Sequence, residues 1–145
     1  MKTGHVGLNV TDLDRSKDFY QRVFGFQVHA ESADPLQRWA FLGPEGTTAV
    51  TLWQQSEGQF GPGHPGLHHL SFQVGSVEEV LAVEARLREL DATLHHDGVV
   101  PHAEGSQSGG VFFADPDGIR LEVYAPSAPT PHAAPTGAAP TCGFF

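Results

Sequence analysis

Positive charge is scarce in this chain. Eight Lys and Arg stand against 17 Asp and Glu in 145 residues, a formal net charge of −9. That balance argues against nucleic acid and anionic membrane as partners, and it leaves small molecules, metal ions and other proteins. Cysteine is nearly missing. Cys142 stands alone, which excludes an intrachain disulfide and fits a reducing cytoplasm. Long apolar runs are missing too: no stretch approaches membrane-spanning length, and the opening Met-Lys-Thr-Gly-His has no apolar signal core. A compact cytoplasmic domain is the expectation.

What the chain does have is internal repetition. Trp39-Ala-Phe-Leu-Gly-Pro-Glu-Gly46 matches Val111-Phe-Phe-Ala-Asp-Pro-Asp-Gly118 in pattern, an apolar run and then a Pro-acid-Gly turn. Upstream, His5-Val-Gly-Leu-Asn-Val10 matches His69-Leu-Ser-Phe-Gln-Val74. Two matches in the same order imply two copies of one module, each too small to bury a core well alone. Residues 1–55 form module one, 56–66 a linker rich in Gly and Pro, 67–126 module two, and 127–145 an Ala/Pro/Thr-rich tail.

Each module reads βαβββ. In module one, His5–Val10 alternates as a strand, Thr11 or Asp12 caps a helix, and Gly25 stops it. Strands follow at Phe26–Glu31, Arg38–Leu42 and Thr48–Gln54. In module two, Ser76-Val-Glu-Glu79 is a capping box. It opens a helix whose stripe is Val77, Val80, Leu81, Glu84, Leu87 and Leu90. Strands are expected at Thr93–His96, Gly110–Ala114 and Ile119–Tyr124. Asp97–Gly109 reads as a polar loop, either a lid or plain surface. The tail is expected to run extended, with Phe144 and Phe145 pinned in an apolar groove. The fold class is α+β, with paired βαβββ modules forming a bent mixed sheet around a metal-binding cavity.

Strand alternation decides which side chains face that cavity. His5, Gly7 and Asn9 share one face. His69, Ser71 and Gln73 share its copy, and Arg120, Glu122 and Tyr124 share the face of the last strand. A carboxylate in mid-strand needs a reason. His5 and His69 occupy one place in two modules, so a pseudo-twofold axis would bring them together with Glu122. Two imidazoles and a carboxylate leave coordination positions open and suit Fe or Mn, with Zn also accepted. The plainer alternative is strand-end histidines on a half-polar sheet. Tyr124 and Arg120 share the face of Glu122 and are candidates to orient or polarise a substrate. The position in module one that corresponds to Glu122 is Val50 or Thr51, neither of them a carboxylate. His68 is expected on the face opposite His69; His64 and His102 lie in loops that could reach the mouth of the site, with solvated loop residues as the plainer reading.

These segments, with Asp12-Leu-Asp-Arg-Ser-Lys-Asp-Phe-Tyr20 and Asp115-Pro-Asp-Gly118, resemble the vicinal oxygen chelate superfamily of glyoxalases, extradiol dioxygenases and fosfomycin- and bleomycin-resistance proteins. The resemblance spans about residues 3–126. It implies a divalent metal on His5, His69 and Glu122 that chelates two substrate oxygens, a small-molecule substrate, and a homodimer. Thr51 or Val50 stands where glyoxalase I has a further glutamate, which turns the expectation from that activity. No Lys or Arg follows Arg120 to bind a phosphonate. Dioxygenase-like chemistry is the expected direction, with a non-catalytic binding or resistance protein, or a glyoxalase I-like lyase or epimerase, as the alternatives.

Overall fold

The computed structural model describes residues 1–144. The chain divides into two compact units, Met1–Gln59 and Phe60–Phe145. In the first unit, β1 (Val6–Asn9), α1 (Leu13–Phe24), β2 (Gln27–Glu31), β3 (Trp39–Gly43) and β4 (Val50–Trp53) follow in order. The sheet runs β1-β4-β3-β2, with β1 parallel to β4 and the other pairs antiparallel. Asp12 caps α1 by accepting from the Arg15 N–H at 3.0 Å. The helix stops at Gly25, which adopts the left-handed conformation at φ 70°. Leu13, Ser16, Phe19, Tyr20 and Val23 are the buried stripe of α1. Leu8, Val10, Ala40, Leu42, Val50 and Leu52 complete the core from the sheet.

The second unit repeats this plan. Its elements are β5 (Leu70–Gln73), α2 (Val77–Glu89), β6 (Val100–Pro101), β7 (Gly109–Ala114) and β8 (Arg120–Ala125). The sheet order is β5-β8-β7-β6, again with the first and last strands parallel. Ser76 caps α2, accepting from the Glu79 N–H at 3.3 Å. Val80, Val83 and Leu87 are its buried residues, packed towards β7 and β8. Leu81, placed by its spacing on the apolar stripe, is instead 50% exposed. Val80 and Leu87 of the expected stripe do meet the sheet, and Val83 completes the buried row in place of Leu81.

Two expectations about local structure are corrected. Thr93–His96 forms no strand; it meets β7 through a single bridge, Leu94 with Phe113. The ladder resumes only after the left-handed turn at Gly98, so β6 lies inside the segment read as a loop. The tail is also not pinned by its aromatics. Phe144 is 61% exposed, and Phe145 lies outside the described residues. The segment is held along its length instead. Ala128 N–H donates to Gln107 O at 2.8 Å, and Thr130 Oγ1 donates to Val99 O at 3.2 Å. Glu104 N–H donates to Gly137 O at 2.7 Å, and the Thr141 N–H to His102 O at 2.6 Å. Thr141, fully buried, opens a short 3-10 helix, Thr141–Gly143, and its hydroxyl donates to Pro101 O at 2.8 Å.

Candidate metal centre

The parallel pairing in each unit settles which residues are equivalent. Gly7 lies beside Thr51, and Ser71 lies beside Glu122. Counting two residues back from each glycine or serine gives His5 and His69. Thr51, not Val50, is therefore the counterpart of Glu122. Trp53, beside Asn9, is likewise the counterpart of Tyr124, beside Gln73.

On the first unit, His5 is exposed just before β1, its ring stacked on Phe41 with centroids 6.5 Å apart. Side chains paired across β1, β4 and β3 share one face, and this one is aromatic. Trp39 lies 4.8 Å from Phe41 and 6.2 Å from Trp53, ring centre to ring centre. Trp53 Nε1–H donates to Thr51 Oγ1 at 3.0 Å. A Cβ at Gly7 would already touch that hydroxyl, at 3.4 Å, so the missing side chain keeps this patch of the face low. His5, Gly7, Asn9, Trp39, Phe41, Thr51 and Trp53 include no Lys, Arg, Asp or Glu.

On the second unit, Glu122 is 3% exposed in the middle of β8. A buried carboxylate is costly unless its oxygens have partners. Each has a histidine beside it, and the two differ. Oε1 lies 2.5 Å from His102 Nε2, while Oε2 lies 3.6 Å from His69 Nε2. The first is a strong hydrogen bond. The second is too long for one, yet both atoms could touch a single ion at about 2.0–2.2 Å each. The donor set therefore fits a divalent cation between Glu122 and His69. Burial lowers the His69 pKa, the Glu122 charge opposes that, and His68 and Arg120 reinforce it. A neutral imidazole is the form that binds a metal. His5 belongs to the other unit. Among the described residues, no group of three or more His, Cys, Asp or Glu is already arranged as a metal cage.

The remaining candidates are placed as follows. Tyr124 donates its hydroxyl to Gln73 Oε1 at 2.9 Å. Arg120 is half-buried, and its charge helps depress both His69 and His95, although burial is the first cause at each. His68 does not face away from His69. Both precede β5, where strand alternation has not begun, and their Nδ1 atoms are 2.9 Å apart. His102 is the residue that sequence reasoning undervalued. It follows the buried Val99-Val100-Pro101 run, the one signal that its segment is part of the sheet and not a solvated loop. The segment also does not hang free as a lid. His102 N–H donates to Ser108 O at 3.1 Å, and the tail bonds to its outer side.

Two βαβββ units, each with a histidine ahead of its first strand and one with a buried glutamate on its last, define a paired-module α+β protein. The sequence profile of the Glyoxalase/Bleomycin resistance protein/Dioxygenase superfamily matches residues 2–123, and the chain belongs to that superfamily. It is 30% identical to the trivalent organoarsenical cleaving enzyme of Bacillus sp. (strain MD1), over 86% of this chain and 73% of that one. It is also 30% identical to catechol-2,3-dioxygenase of Bacillus subtilis (strain 168), over 84% of this chain but only 40% of that longer protein. Among solved structures, a glyoxylase/bleomycin resistance protein/dioxygenase domain from Frankia sp. EAN1pec superposes with a TM-score of 0.75. It is 26% identical, covering 86% of this chain and 91% of that one. A variant fosfomycin resistance protein from Listeria monocytogenes, complexed with Mn(II) and 1S,2S-dihydroxypropylphosphonic acid, shares the fold at a TM-score of 0.68. At 20% identity over 86% of this chain and 91% of that one, it speaks to the fold alone.

Proposed function

We propose that the chain is a divalent-metal-dependent enzyme acting on a small substrate that presents two adjacent oxygens, with dioxygenase-like chemistry as the first reading. His5, His69 and Glu122 are the metal ligands in this proposal, and Fe, Mn or Zn the ion. The observation that carries it is the buried Glu122 carboxylate with one oxygen turned towards His69 Nε2, 3.6 Å away. His5 joins the pair through its place in the repeat. A divalent ion held there would polarise the two substrate oxygens and stabilise charge that develops on them. Tyr124 and Arg120 orient the substrate from the same face of β8. Gln73 holds the Tyr124 phenol, and the Arg120 guanidinium favours an anionic oxygen.

The first unit, taken by itself, carries an aromatic face. Trp39, Phe41 and Trp53 suit a planar ring, and the lack of cations among the residues of that face does not suit a phosphonate. The similarity to a catechol-2,3-dioxygenase agrees with this. Thr51, in the place of a second carboxylate, disfavours a glyoxalase I-like proton transfer. The same aromatic face also supports a second reading, a protein that sequesters a planar ligand without turnover. A homodimer, with each cavity inside one chain or with modules exchanged, belongs to the first reading.

The test is metal content and turnover together. His5→Ala, His69→Ala and Glu122→Ala each lose the metal that the wild type retains, and His68→Ala keeps it. Full retention in all three variants sinks the ligand assignment. Oxygen uptake with a catechol, by protein loaded with Fe(II), separates the readings: tight binding with no uptake favours the sequestering protein.

A further inference from the structure

Glu122 has two oxygens, and they are not equivalent. Oε2 is the one near His69. Oε1 is taken by His102, whose ring is packed edge-on to Phe112 at 6.0 Å and lies 5.3 Å from the Tyr124 ring. A carboxylate only accepts, so His102 Nε2 must carry the hydrogen. In a neutral imidazole Nδ1 is then bare and must accept. It lies 2.7 Å from the Ser108 hydroxyl, which can donate. Ser106 Oγ stands 3.0 Å behind that of Ser108 and accepts from the Ser108 N–H at 3.2 Å. With the imidazole neutral, hydroxyl, imidazole and carboxylate form a chain whose bonds point one way, towards Glu122.

The backbone of His102 is fixed from the other side. Its carbonyl accepts from the Thr141 N–H at 2.6 Å, and the Thr141 hydroxyl closes on Pro101 O next to it. Thr141 is fully buried at the far end of the C-terminal segment. The segment is rich in Ala, Pro and Thr; Ala128 alone of it joins the apolar core, and the rest holds on largely through hydrogen bonds.

We infer that His102 is a positioning residue for Glu122. It occupies Oε1 so that the carboxylate offers only Oε2 to a metal, and the C-terminal segment, through Thr141, is the strap that keeps His102 there. The inference rests on the metal reading of Glu122 given above. Carboxylate ligands are commonly held by an outer hydrogen bond, whose loss costs about 10–100-fold in metal affinity.

Mn(II) titration of the full chain tests this, on wild type, His102→Ala, His102→Gln and a chain lacking residues 141–145. His102→Ala is expected to weaken Mn(II) binding by about tenfold or more. His102→Gln, whose amide N–H can still donate to Oε1, is expected to restore most of it. Deleting 141–145 is expected to weaken binding in the wild type and to add nothing in the His102→Ala background, because both changes act through one bond. Unchanged affinity in a folded His102→Ala variant overturns the inference, and so does a deletion effect of equal size in both backgrounds. Nitrogen-15 NMR of the metal-free protein gives a readout that needs no metal. His102 is expected as the Nε2–H tautomer, with the tautomers mixed once 141–145 are removed. An Nδ1–H tautomer in the wild type overturns the inference. Should the wild type take up no metal while His102 is Nε2–H and strap-dependent, the metal reading fails and the positioning of Glu122 stands.

Discussion

At the scale of single residues, the stretch that feeds β8 depends on one side chain. Asp115 is buried, and a single oxygen, Oδ1, accepts from the Asp117 and Ile119 N–H groups, each at 2.9 Å. With Gly118 in the left-handed conformation, these bonds set the turn from which Glu122 emerges. Asp115→Ala leaves two donors without their acceptor and is expected to cost about 3 kcal/mol of stability in urea unfolding. Asp115→Asn keeps a carbonyl oxygen in that place and is expected to cost well under half as much. Equal losses would mean that charge, and not the two bonds, holds the turn. The facing of Glu122 was legible in the sequence because strand alternation is a local rule. The partner at Oε1 was not, since His102 lies 20 residues away in a segment that carries no periodic pattern.

At the scale of elements, both helices were legible because their signals are local: Asp12 or Ser76 at the start, apolar spacing, and Gly25 after α1. The buried face of α2 was read in part: Val80 and Leu87 are buried as expected, while Leu81 is exposed and Val83 is buried instead. Leu81 and Glu84 compete with Val83 for the stripe, and only the packed sheet decides between them. Leu87→Ala is therefore expected to cost about 2–5 kcal/mol, as a fully buried leucine should. Leu81→Ala is expected to stay within about 0.5 kcal/mol, as an exposed position should. Urea melts of the two variants check this, and comparable losses would place Leu81 in a contact formed outside this chain. β6 escaped detection because a two-residue strand containing Pro101 has neither length nor alternation. Such a strand is tolerable only at an edge, where β6 lies, paired with β7 alone.

At the scale of the whole molecule, the repeat gave the architecture and the pairing of equivalent residues, since each module obeys one plan. The course of the tail was not legible, because backbone hydrogen bonds leave no mark on composition. Assembly is the remaining expectation at this scale. Sedimentation at micromolar concentration should give a homodimer, and it should persist as salt is raised, because the net charge of −9 opposes association and salt screens it. A monomer under both conditions counts against the dimer.

Both sheets place their first strand beside their last: β1 with β4, and β5 with β8. A sheet built this way cannot close until its own last strand has emerged from the ribosome. The first must wait for Trp53 and the second for Ala125. Long-range parallel pairing is slow compared with helix formation, so α1 and α2 would form before the sheets that they cover. The N-terminal sheet can nevertheless close while the C-terminal half is still being synthesised. Vectorial synthesis would thereby favour pairing within the first module over exchange of strands between two modules of the same plan.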